Sequence, residues 1–109
     1  MNRATFEVVW SPAAVSDLDE ILAFIEADRP VVAEQILDRI AERAATLATL
    51  PKRGRAVPEL ILYGISQIRE VVEAPRHVIY RIDDRVVRVL AILDGRRDAE
   101  EWLLARLLH

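Results

Sequence analysis

The residues of this sequence best suited to chemistry are basic side chains in its second half. Fourteen of the fifteen bases are arginine, and the net charge is −5 over residues 1–50 but +2 over residues 51–109. Arginine carries a planar guanidinium that can hold a carboxylate or phosphate through two hydrogen bonds, and it can stabilise the charge that develops on phosphorus during RNA cleavage. The candidates are Lys52, Arg53, Arg55, Arg69, Arg81, Arg88, Arg96 and Arg97.

A positioned acid and base, from which an efficient ribonuclease also benefits, are not evident from the spacing. His77 stands among apolar residues in a segment with strand periodicity. Asp83, Asp84 and Asp94 match metal ligands in residue type only, and aspartates are common in turns. We therefore predict no metal and no cofactor.

Composition excludes further classes of site. The 109 residues include no cysteine, which rules out disulfides, thiolate metal ligands and cysteine nucleophiles. Three glycines are too few for a phosphate-cradling loop of the Walker or dinucleotide type. No apolar run approaches the roughly 18 residues that span a bilayer, and the N-terminus lacks an export pattern. We expect one cytoplasmic domain over residues 1–109.

The first half is predicted to form a strand followed by two antiparallel helices. Residues 4–10 alternate as a strand does, and Ser11-Pro12 is typical of a helix start. Pro30 starts a second helix, which Pro51 ends. The helical core positions recur every three or four residues, and they are Val15, Leu18, Leu22, Ile25, Ala33, Ile36, Leu37, Ile40, Ala44 and Leu47.

The second half changes to strand periodicity. Residues 51–67 read as a connector, residues 69–93 as three antiparallel strands, and residues 97–109 return to helical spacing. The predicted class is α+β in the order β-α-α-β-β-β-α, with a helical hairpin packed on a small, mainly antiparallel sheet.

A hairpin that turns on Asp84-Arg85 determines the register of the last two strands. It places Arg81 directly opposite Arg88. If the preceding turn takes residues 74–76, Arg69 joins them in a row of three, whereas a two-residue turn places Arg69 on the core face.

The face that carries these arginines is also expected to be partly apolar, through Val71, Ile79, Leu90 and Ile92. A surface of that kind requires a cover. The cover is either the C-terminal helix folding back or a partner chain that supplies apolar side chains and carboxylates together. Our hypothesis is that an acidic, amphipathic partner segment binds this face and the basic loop.

Several segments together resemble one superfamily. They are WSPAAVSDLDEILAFIE (residues 10–26), ADRPVVAEQ (27–35), LPKRGRAVPEL (50–60), VIYRI (78–82) and VLAILDGRRD (89–98). In this order they resemble the RelE/ParE toxins of type II toxin-antitoxin modules, over nearly the entire chain. The resemblance implies a βααβββ toxin that a cognate antitoxin holds inactive by wrapping it with a helix and an extended segment.

The superfamily contains two activities, since RelE-like members cut messenger RNA at the ribosome and ParE-like members inhibit DNA gyrase. RelE-like ribonucleases resemble this chain at Arg69 and Arg97. Their terminal-helix tyrosine, however, aligns with Leu103, and their general basicity is absent because the net charge here is −3. The Gly54-Arg55 loop resembles the ParE-like group, so a gyrase inhibitor without enzymatic activity is favoured.

Each alternative gives the candidate residues a role. In a gyrase inhibitor the arginines supply oriented charge and the terminal helix supplies an apolar contact. In a ribosome-dependent ribonuclease, Arg69, Arg81 and Arg97 would hold the scissile phosphate. A third alternative is a degenerate module that only binds antitoxin. The residues expected to bind the antitoxin or the target are Lys52, Arg53, Arg55, Val71, Ile79, Arg81, Arg88, Leu90, Arg96, Arg97 and Trp102.

Overall fold

The computed structural model describes residues 5–95 and 99–107, in which strands and helices follow the predicted order with two short additions. The additions lie in the segment interpreted as a connector, where a two-residue strand and a single helical turn form. The elements are β1 (Glu7–Trp10), α1 (Pro12–Glu26), α2 (Pro30–Ala45), a 3-10 turn (Thr46–Ala48), β2 (Arg55–Ala56), α3 (Pro58–Ile61), β3 (Ile68–Glu73), β4 (Arg76–Asp83), β5 (Val86–Asp94) and α4 (Ala99–Leu107).

The two long helices begin at residues that favour the start of a helix. Ser11 Oγ accepts a hydrogen bond from the Ala14 amide at 3.1 Å, and Pro12 and Pro30 are the first residues of α1 and α2. A proline at this position loses no hydrogen bond, because the first helical amides have no partner within the helix. Helix α2 tightens into the 3-10 turn after Ala45 instead of continuing to Pro51.

The strands form one five-stranded sheet in the order β1-β5-β4-β3-β2. Strand β1 runs parallel to β5, and every other neighbouring pair is antiparallel. The α+β class with a helical hairpin on a mainly antiparallel sheet is therefore confirmed. None of the described helices is both long and apolar enough to cross a membrane.

The sheet lies between two helical layers. One cluster of buried side chains joins the α1-α2 hairpin to the sheet and includes Tyr80. A second cluster joins α3 and α4 to the opposite face, where Leu103 packs with Ile79 and Ala91. Of the two covers that the sequence left open, the C-terminal helix is the one present over the centre of this face, so the hypothesis that a partner segment binds this face is wrong at the centre.

The register of β4 and β5 is as predicted at the turn but shifts further along. Arg81 faces Arg88, and the shift lies between Ile79 and Tyr80, so that Ile79 pairs with Ala91 and Leu90 bulges. A bulge reverses the faces of all later residues. Ile92 consequently points into the cluster under the α1-α2 hairpin.

The turn between β3 and β4 takes two residues, which places Arg69 opposite Tyr80. Of the two turn lengths that the sequence left open, the two-residue turn is the observed one, so the row of three arginines does not form and Arg69 lies on the core face. This register also moves Val71 to the cluster under the hairpin. Of the four apolar residues expected on the arginine face, only Ile79 and Leu90 lie there.

Candidate functional site

The basic loop, which we define as residues 51–55, is fixed to the sheet by the Tyr80 phenol. The hydroxyl donates to the carbonyl of Pro51 at 2.7 Å and accepts from the amide of Gly54 at 3.0 Å. Arg69 Nη1 donates to the carbonyl of Gly54 at 2.7 Å. Burial raises the pKa of Tyr80, so the phenol stays protonated and keeps its donor role. The loop is thus held at both of its ends.

Glycine is required at position 54 because sheet and loop approach each other closely there. A Cβ added to Gly54 would lie 2.5 Å from the carbonyl oxygen of Glu70 and 2.6 Å from the Tyr80 hydroxyl. Both neighbours are held in place by hydrogen bonds or strand pairing. The contact lets Lys52 and Arg53 project into solvent beside a rigid backbone.

A buried carboxylate lies at the base of this loop, a feature that sequence reasoning missed. Glu70 is fully buried and accepts a hydrogen bond from Arg55 Nε at 2.8 Å, while its other oxygen lies 3.2 Å from His77 Nδ1. In the tautomer that carries its proton on Nδ1, the imidazole donates to the carboxylate. The three residues therefore form a charged cluster in which the carboxylate orients the imidazole. Arg55 lies directly opposite Glu70, and His77 lies diagonally across from Glu70 on the next strand, so the sequence could have indicated the cluster only if both registers had been known.

The two sheet arginines share a single carboxylate within the chain. Arg81 and Arg88 face each other across the strands, and the Nε of each donates to Asp83 at 3.0 and 3.2 Å. The shared carboxylate offsets the repulsion that two like charges create in directly opposed positions. Their combined charge is one positive unit rather than two.

Helix α4 is clasped to helix α1 and strand β5 by Arg106. Its guanidinium bonds both oxygens of Asp17, at 2.8 and 3.1 Å, and the carbonyl of the bulged Leu90 at 3.0 Å. Asp17 also accepts from the amide of Ile92 at 3.0 Å. The guanidinium lies 4.4 Å from the centre of the Trp102 ring, within the range of a cation-π interaction. The predicted contact residue Trp102 is therefore half-buried in this clasp.

The other predicted contact residues are mostly buried or lie outside the described part of the chain. Val71 and Ile79 are buried, so in this structure neither offers a contact surface, and Leu90 is half-buried. Arg96 and Arg97 lie outside the described residues. Within the described ranges no three histidine, aspartate or glutamate side chains converge in a way that could hold a metal ion.

Comparison with known sequences decides the family. A family model described as "ParE toxin of type II toxin-antitoxin system, parDE" matches residues 8–99. The chain is a toxin of the RelE/ParE superfamily. Toxin RelE2 of Caulobacter vibrioides is 32% identical over 92 residues, which cover 84% of this chain and 97% of that one. A putative toxin of Sinorhizobium fredii, Y4kP, is 33% identical over 93 residues, which cover 85% of this chain and 88% of that one.

Solved structures share the fold of this toxin. The chromosomal ParDE toxin-antitoxin system of P. aeruginosa contains a chain that superposes with a TM-score of 0.68 at 20% identity, covering 83% of the toxin and 96% of that chain. The toxin-antitoxin complex RelBE2 of Mycobacterium tuberculosis contains one with a TM-score of 0.61 at 21% identity, covering 85% and 94%. Relatives with ParE and RelE names thus both match, and the fold is common to both.

The toxin leaves an apolar groove open between β1 and the helical hairpin. Val15 and Leu37, which we expected in the core, are 44% and 39% exposed and line this groove instead. The groove has a volume of about 460 Å³, and its apolar lining residues are Val8, Trp10, Val15, Leu18, Leu37, Ala41 and Ala45.

Proposed function

We propose that the toxin acts by binding DNA gyrase and inhibiting it, and that a cognate antitoxin neutralises it. The observation that carries the proposal is the packing of Leu103, which is 1% exposed at the position where the RelE-like ribonucleases have a tyrosine. No phenol can transfer a proton from there. Tyr80 is committed to the basic loop, and the Tyr63 hydroxyl, whose pKa the bond raises, donates to Glu100.

The basic loop is the proposed contact with gyrase. Lys52 and Arg53 are exposed, and the backbone that carries them is fixed by Tyr80 and Arg69. Fixing a loop before binding lowers the entropy that association must offset. An arginine that is already positioned also contributes more to recognition than one on a flexible segment.

The groove beside β1 is the proposed seat of the antitoxin. Its walls are apolar except for Asp19, and it is long enough along α2 for two helical turns, since Leu37, Ala41 and Ala45 follow one another at four-residue spacing. An amphipathic helix that lays its apolar face into such a groove is a recurring mode of peptide recognition. The two structural neighbours from toxin-antitoxin systems support an antitoxin partner.

A supercoiling assay tests the proposal. Purified toxin added to gyrase and relaxed plasmid should inhibit supercoiling, and Arg53→Glu should raise the concentration needed for half-inhibition about tenfold, which corresponds to about 1.4 kcal/mol of binding free energy. The matched control is Arg85→Glu, which makes the same charge change at an exposed arginine of the β4-β5 turn, outside the basic loop and outside the groove beside β1. Full supercoiling at saturating wild-type toxin would contradict the proposal, and equal loss in both variants would exclude the basic loop.

A ribosome-dependent ribonuclease is the second candidate, and the cluster of Arg55, Glu70 and His77 favours it. Nε2 of His77 would take the proton of a ribose 2′-hydroxyl as that oxygen attacks phosphorus. The bond from phosphorus to the 5′-oxygen would break, and the leaving oxygen would take a proton from water, giving a 2′,3′-cyclic phosphate and a 5′-hydroxyl. Glu70 would act as a positioning residue that orients the imidazole.

Primer extension on ribosome-bound message tests this candidate. If the toxin is a ribonuclease, wild-type toxin should cleave the message and His77→Ala should lower the rate about 100-fold, the usual contribution of a positioned base. Glu70→Gln should move the pH profile of the cleavage as well as its rate, which a purely structural role would not do. Intact message with wild-type toxin, or undiminished cleavage by His77→Ala, removes this candidate.

A further inference from the structure

A pocket at the tip of the helical hairpin combines apolar walls with two guanidinium groups. It lies where α1 turns into α2 above the first residue of β4, and it has a volume of about 350 Å³. It shares no lining residue with the basic loop, with the groove beside β1 or with the cluster around Glu70. Its lining consists of Phe24, Ile25, Asp28, Arg29, Val32, Ile36 and Arg76.

The guanidinium at the inner end of this hairpin-tip pocket is incompletely satisfied. The side chain of Arg76 is only 15% exposed, and its Nε is buried without a hydrogen-bond partner. The nearest carboxylate oxygen, on Asp94, is 3.5 Å away and belongs to a side chain that is half exposed. A buried donor without an acceptor in hydrogen-bonding geometry is costly and is rare in native proteins, so this guanidinium would gain from a closer acceptor than Asp94.

The rim of the pocket is apolar and unusually open. Phe24 is 86% exposed, and Val32 on the next helix, which also lines the pocket, is 36% exposed. Single exposed apolar side chains are ordinary, but an exposed aromatic ring together with an aliphatic side chain of the same pocket has the composition of a contact site.

We propose that the hairpin-tip pocket binds a segment of a partner polypeptide in which a carboxylate stands beside an apolar side chain. The carboxylate would accept from Arg76 at the inner end, and the apolar side chain would pack between Phe24 and Val32. Arg29 supplies a second positive charge at the mouth. The inference goes beyond inhibition of gyrase, because it concerns a separate surface.

The charges near the pocket favour a single carboxylate over other anions. Asp28 lines the pocket and Asp94 lies beside Arg76, so the local charge is too nearly balanced to attract a polyanion such as a nucleic acid. A membrane surface would require a cluster of several lysines or arginines, and the pocket contains two arginines and one aspartate. A peptide segment can supply what the pocket offers room for, which is a single charge-assisted hydrogen bond surrounded by apolar contacts.

Titration of the ¹⁵N-labelled toxin with two blocked peptides tests the proposal. The probes are N-acetyl-Leu-Glu-Leu-amide and its isostere N-acetyl-Leu-Gln-Leu-amide. The amide resonances of Phe24, Val32 and Arg76 should shift saturably with the glutamate peptide, and the glutamine peptide should bind at least about fivefold more weakly, since a bond to a charged acceptor is roughly twice as strong as a neutral one. The comparison does not depend on the outcome of the gyrase assay.

Two variants and one control complete the test. Arg76→Gln should abolish the preference for glutamate, and Phe24→Ala should weaken both peptides severalfold without lowering Tm, because the ring is exposed. Arg39→Gln removes an exposed arginine of α2 that does not line the pocket and should bind as wild type does. Equal affinity for the two peptides, absence of saturable shifts, or shifts that follow toxin concentration alone and so report a second copy would each overturn the proposal.

Discussion

Gly54→Ala should be the most damaging single-methyl change in the toxin, lowering the free energy of unfolding by about 3 kcal/mol, the sum expected for overpacking and for a lost buried hydrogen bond. The new methyl group would lie 2.5 Å from a backbone oxygen of β3 and 2.8 Å from Cε1 of the Tyr80 ring. Neither can retreat, since β3 is paired with β4 and the ring is fully buried. The basic loop must therefore move away from the Tyr80 hydroxyl and lose its hydrogen bonds to it. Urea denaturation followed by circular dichroism measures the loss.

Gly64→Asn is the appropriate control for that experiment. Gly64 has a φ of +75°, but a Cβ added there would have no neighbour within 4 Å, and asparagine tolerates this backbone region better than other residues. Gly64→Asn should lower the free energy of unfolding by no more than about 1 kcal/mol. If Gly54→Ala is no more destabilising than Gly64→Asn, the close approach does not determine the position of the basic loop.

The β4-β5 hairpin shows how much of a strand register can be predicted from local sequence patterns. The turn at Asp84-Arg85 was predictable because two residues with turn chemistry separate two strands of matching alternation, and Asp84 has the positive φ of 53° that such a turn requires. The same pattern could not reveal the bulge at Leu90. That bulge is stabilised by Asp17 and Arg106, which are distant in sequence and bond to Ile92 and to Leu90 itself.

The burial of Glu70 could not be predicted from the sequence either, because it depends on the length of the turn before β4. A three-residue turn would have carried Arg69 to the face where Glu70 lies, and the sequence around Pro75 is compatible with either length. Only the observed pairing brings Arg55 and His77 to the two oxygens of the buried carboxylate. A one-residue change of register thus separates the observed charged cluster from the predicted row of arginines.

The cover of the second sheet face illustrates a different limit. An apolar strand face indicates that something packs on it, but an internal helix and a partner chain meet that requirement equally well. Which of the two covers the face depends on how stably α4 is attached to the sheet. Leu103 supplies the apolar contact, and Arg106 supplies the only described ion pair between α4 and the rest of the chain.

The clasp at Arg106 should accordingly account for a large share of the attachment of α4. We expect Arg106→Gln to lower the free energy of unfolding by about 2 kcal/mol, because it leaves the mostly buried carboxylate of Asp17 without its cation and the Leu90 carbonyl without its strongest donor. Asp17→Asn should cost about 1 kcal/mol, since the amide oxygen can still accept from Ile92. Hydrogen exchange at the Leu103 amide should accelerate in both variants, because opening of α4 no longer has to break the pair.

A double-mutant cycle separates this coupling from the cost of each substitution. If the pair is energetically linked, the combined variant should be at least about 1 kcal/mol more stable than the sum of the single losses implies. Arg88→Gln serves as the control, because its partner Asp83 is more than a third exposed and the loss of such a surface pair should stay within about 0.5 kcal/mol. Additive losses at Asp17 and Arg106 would mean that Leu103 and its apolar neighbours hold α4 alone. In that case the second face would remain closed by hydrophobic packing whether or not the ion pair forms.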